Sequence, residues 1–146
     1  MRNNKKRFYK PGMFIALISS GISSLVSLVY FAMNIRLLFS GDYMFYSHPS
    51  AAIAMIISTI MMNGFIIAFA IISFLYYLKK GSIPQLFYYI LAAGVFFIAI
   101  VYFSTNRLWF NNGFEGIIVG INKLVLIAIV VGNALAFYAE ERNFIK

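Results

Sequence analysis

The chain has 146 residues, 62% of them hydrophobic and only 11% charged, with a mean hydropathy of +0.86. Soluble domains carry about 25% charged residues and disordered chains are poor in apolar ones, so the composition excludes both classes. The formal charge of +8 comes from 12 Lys and Arg against 4 Asp and Glu, and the absence of cysteine removes disulfides, thiolate metal sites and cysteine nucleophiles.

Residues 1–10 form a basic tail with Arg2, Lys5, Lys6, Arg7 and Lys10. The first apolar stretch follows directly and runs uncharged from Pro11 to Ile35. It exceeds the 7–15 residues typical of a signal-peptide core, and Ala32-Met33-Asn34-Ile35-Arg36 offers no cleavage pattern, so it reads as an uncleaved signal anchor. The second stretch starts near Ser47-His48-Pro49-Ser50 and the third behind Ser82-Ile83-Pro84-Gln85. Both place a proline in the first turn, where a missing N–H is harmless. The fourth begins at Asn112-Gly113-Phe114-Glu115, with an acid where the helix dipole favours one, and is apolar except for Lys123, Asn122 and Asn133.

Each stretch reaches the roughly 20 residues that cross a bilayer. The expected fold is an all-α integral membrane protein, one domain over residues 1–146, with spans at about 12–36, 51–78, 83–104 and 115–139. The short connections make it an antiparallel four-helix bundle. With the termini on one side, that side collects Arg2, Lys5, Lys6, Arg7, Lys10, Lys79, Lys80, Arg142 and Lys146, and the other only Arg36 and Arg107. The positive-inside rule then puts both termini in the cytoplasm. Tyr43, Tyr46, Tyr76, Tyr77, Tyr88, Tyr89 and Trp109 fall near span ends and read as interfacial aromatics.

Small residues at four-residue spacing mark where membrane helices approach. Gly12, Ala16, Ser20 and Ser24 form one such row on the first span, with Ser19, Ser23 and Ser27 beside it. Gly116, Gly120, Ala128, Gly132 and Ala136 form another on the fourth. The first and fourth helices are therefore expected to be the closest pair, with Ser20, Ser24, Gly116, Gly120 and Gly132 as packing positions and the third helix facing lipid.

The polar inventory argues against catalysis. Arg36, Asp42, His48, Arg107 and Glu115 share the outer side, where loop ion pairs and caps account for them. No metal-ligand spacing, phosphate-binding glycine loop or nucleophile elbow is present, and no cofactor is expected. Inside the spans the candidates are Lys123, Asn122, Asn63 and Asn133. Asn122 and Asn133 lie eleven residues apart, which returns them to one helix face. Lys123 lies near the outer end of its helix and is expected to snorkel outward toward Asp42, Glu115 or an external anion.

The leading expectation is a non-enzymatic interaction or accessory subunit of a membrane complex. The alternative is a small transporter, flippase or channel formed by self-association, with Lys123 contacting an anionic group. The expected partners are the bilayer, including anionic lipid at the basic tail, and other membrane subunits or further copies of the chain. Nucleic acid is not among them. The abundance of Ile, Phe, Tyr, Asn and Lys suits a bacterial inner (plasma) membrane, with an organellar inner membrane as the alternative location.

Overall fold

A computed structural model describes residues 8–79, 83–105 and 114–140. They form four long helices, α1 (Tyr9–Ser40), α2 (Pro49–Leu78), α3 (Gln85–Thr105) and α4 (Phe114–Glu140), with a 3-10 turn at Asp42–Phe45. All four are long and apolar enough to cross a membrane. Their large apolar side chains, including Phe14, Leu25, Met55, Phe74, Phe97 and Leu124, are exposed on the outside of the bundle.

α1 runs past the apolar stretch at both ends. Its 32 residues give about 48 Å at 1.5 Å per residue, well beyond a hydrocarbon core of about 30 Å. Arg36 therefore sits on an exposed helical turn. The helix stops at Gly41, whose φ of 73° is the left-handed conformation that glycine adopts without strain. α2 opens with Pro49 in its first turn.

Consecutive helices run antiparallel and close into a ring, in which α1 packs along its length against both α2 and α4, and α3 completes the ring more loosely. The α1–α4 contact is made by backbone. A Cβ at Gly12 would lie 2.7 Å from the amide nitrogen of Ala136 and 2.8 Å from the carbonyl oxygen of Gly132. One at Gly132 would lie 2.6 Å from the nitrogen of Ala16 and 2.9 Å from the oxygen of Gly12. Any side chain there would push the helices apart. The buried line on α1 runs Gly12, Ala16, Ser19, Ser20, Ser23, Ser27. Ser24 leaves it: this side chain is half-buried and bonds back to the Gly21 carbonyl at 2.7 Å. Gly116, Gly120 and Gly132 are all buried on α4. α3 approaches α2 through side chains instead, with the ring of Phe65 lying over Gly94.

Candidate functional site

Two polar layers lie inside the bundle. The first is near the end where α1 begins and α4 finishes. Tyr77 and Tyr88 both donate their hydroxyls to the Asn133 Oδ1, at 2.8 and 2.6 Å, and the Asn133 amide donates to the Ile129 carbonyl at 3.0 Å. With the Tyr88 proton directed at Asn133, Ser73 is the donor in its 3.1 Å bond to the Tyr88 oxygen. Tyr76 stacks on Tyr88 at 4.1 Å, Tyr9 meets Tyr77 edge-on, and Tyr89 meets Phe137 edge-on, so all four helices contribute.

Tyr77 and Tyr88 are thus core residues, 2% and 0% exposed, and the interfacial reading does not hold for them. The α2–α3 hairpin folds their ring systems against each other, and Asn133 provides the acceptor that a buried phenol requires. A serine one helical turn before a tyrosine, Ser73 before Tyr77, is the sequence signal that points inward.

The second layer holds Lys123. Its side chain is 1% exposed, and its ammonium lies 5.5 Å from the centre of the Phe103 ring. The expected outward snorkelling is not what the structure has: Lys123 faces the interior and α3, where an aromatic face takes up part of the cation's lost hydration. Asn122, also buried, hydrogen-bonds Tyr102 through its side chain, while its Oδ1 has no hydrogen-bond partner. The Ser20, Ser23 and Ser27 hydroxyls are buried and equally unpartnered. Followed along the antiparallel pair from the Gly12–Gly132 contact, the register brings Ser23 level with residues 121–125 and Ser27 level with 117–121. Ser23 therefore shares its depth with Asn122 and Lys123, with Ser27 and Ser20 about one turn to either side.

The remaining candidates do not join these layers. Asn63 is half-buried on α2 and bonds back to the Thr59 carbonyl at 2.8 Å. Arg36, Asp42 and His48 are exposed. His48 lines a pocket of about 500 Å³ at the α1–α2 connection with Asn34, Tyr43, Tyr46 and Thr59. Arg107 and the side chain of Glu115 lie outside the described residues. Among the described residues no three His, Cys, Asp or Glu come together as a metal site. The second layer thus has a buried ammonium at about the depth of the unpartnered Ser23 hydroxyl and the Asn122 Oδ1.

Comparison with family models, curated proteins and solved structures finds no match to this chain. The class therefore rests on its own geometry: an all-helical bundle of four potential membrane spans, apolar outside and polar at two levels within.

Proposed function

We propose that this protein acts without catalysis, by holding an anionic group at Lys123 within the membrane, as a small carrier or flippase-like protein does. The observation that carries the reading is the burial of Lys123. An ammonium in an apolar span costs several kcal/mol, and such residues mark binding or transport sites. The unpartnered Ser23 hydroxyl and Asn122 Oδ1 at about the same depth support it, because buried polar atoms are normally satisfied and a bound molecule would satisfy these. The test is melting in a neutral detergent with added inorganic phosphate or anionic lipid. Either anion should stabilise the parent and Lys123→Arg but not Lys123→Met, which keeps the stem and loses the charge. Equal stabilisation of Lys123→Met would remove the site.

The charge distribution supports cytoplasmic termini. Single cysteines at Asn4, Asp42, Gly81 and Asn112, treated with an impermeant thiol reagent outside the cell, should label at 42 and 112 only. Labelling at 81 without 42 would invert the topology.

One observation favours the subunit reading as a second possibility. Gly21 is exposed on α1, and a Cβ there would meet no atom within 4 Å. Glycine within a helix costs about 1 kcal/mol relative to alanine and gains nothing here within one chain. A neighbouring helix would supply the reason. Gly21→Leu should leave the melting temperature of the isolated chain unchanged or raised, yet abolish co-purification of partner subunits or of a tagged second copy. Undiminished co-purification would count against this face.

A further inference from the structure

The two seams that α3 makes, with α2 and with α4, are the loose ones of the ring. A groove of about 470 Å³ runs along the seam with α4, lined by Phe96, Ala99, Ile100, Phe103, Ile127 and Val131 among others. Phe96, Ile100, Ile127 and Val131 are between 40% and 51% exposed, so the groove opens sideways to the surroundings of the bundle rather than along its axis. In a bilayer such a cleft is filled by hydrocarbon, since apart from Ser104 at one end its walls are apolar. Its volume falls in the usual range for small-ligand sites.

Phe103 belongs to two features at once. Its ring forms part of the groove wall, and the Lys123 ammonium lies 5.5 Å from its centre. The ring is the partition between an apolar channel open to lipid and a buried cation with the unpartnered Ser23 hydroxyl at about its level. Turned aside, it would join the two into one amphipathic site with a cationic end and an apolar trough. The complement of that shape is an anionic amphiphile. A small anion without a chain would leave the apolar trough unfilled, and a zwitterionic headgroup would bring a second cation against Lys123.

We propose that the α3–α4 groove is the lateral entry and chain-binding site for an anionic membrane lipid, whose headgroup Lys123 takes once the Phe103 ring moves aside. The inference rests on the Lys123 reading above and adds the route and the ligand class. The Ser23 hydroxyl of α1 donates to the headgroup oxygens, and the groove holds one hydrocarbon chain.

The test measures lipid retained by the full chain in neutral maltoside detergent, by native mass spectrometry. Phosphatidylglycerol and phosphatidylcholine with identical chains are compared, and glycerol phosphate serves as a headgroup without chains in parallel melting curves. The parent is expected to retain phosphatidylglycerol roughly tenfold over phosphatidylcholine, and Lys123→Met to show no preference. Ile127→Trp and Val131→Trp fill the groove from exposed positions and leave the core alone, which lipid-free melting curves check. Both should lose phosphatidylglycerol while keeping the stabilisation by glycerol phosphate. Phe103→Ala removes the partition and should speed lipid uptake. Groove-filled variants that retain phosphatidylglycerol like the parent would overturn the groove and leave the Lys123 site standing. Equal retention of both lipids by the parent and Lys123→Met would overturn both.

Discussion

Gly132→Leu is expected to unfold the α1–α4 pair in detergent, with a melting temperature far below that of the parent. Even a methyl group at this position would sit 2.6 Å from a backbone nitrogen of α1, and neither helix axis can yield without separating. Overpacked cores lose about 1–3 kcal/mol and occasionally more, and a leucine between two backbones belongs at the upper end. Gly132→Ala should already lower the melting temperature. Phe96→Leu, at a position 51% exposed on α3, should do little. If Gly132→Leu melts like Phe96→Leu, the backbone contact between α1 and α4 is wrong.

The second large effect is expected at Asn133. In Asn133→Leu, the Tyr77 and Tyr88 hydroxyls lose their shared acceptor while remaining buried, and each hydrogen bond lost in the core costs about 0.5–1.5 kcal/mol. Removing those hydroxyls in the same background, with Tyr77→Phe and Tyr88→Phe, should recover much of the loss, because three apolar groups then meet where three polar ones did. The combined variant should therefore be more stable than Asn133→Leu alone, a departure from additivity that only a direct interaction produces. Additive losses would show that the three side chains do not share a network.

The sequence carries the helices plainly and their faces poorly, and both facts have one cause. Length and apolarity suffice to mark a span, so the four helices are legible before any packing is known. In a soluble helix the buried face is also the apolar one. Here the outside is apolar too, so the pattern that would orient α2 or α3 is erased. Small residues are the exception, since only close contact explains them, and the Gly12–Gly132 approach between the first and fourth helices could be anticipated for that reason. Ser24 shows the limit of that signal. It lies on the four-residue row, yet the buried line shifts to Ser23 and Ser27 as the seam follows the packing rather than the straight helix.

Aromatic and charged residues near span ends were ambiguous in a different way. A tyrosine at such a position can point to headgroups or fold inward onto a neighbouring helix, and the choice falls to the turn that joins the helices. For Tyr77 and Tyr88 the α2–α3 hairpin makes it. Lys123 has a similar choice. Nine residues beyond Phe114, its stem is long enough to reach outward, and the placement of Phe103 on a separate helix gives its ammonium an inward surface. Contacts between helices decide both cases, and no local pattern records them.

The central claim is that the bundle holds an anion at Lys123, and what leaves the membrane with the protein tests it most directly. The parent chain, Lys123→Arg and Lys123→Met would be extracted from their own membranes into neutral detergent under mild conditions, and the intact complexes weighed by native mass spectrometry. About one anionic molecule per chain is expected in the parent and in Lys123→Arg, and none in Lys123→Met. An equally well folded Lys123→Met that carries the same bound molecule, or a parent that carries none, would contradict it.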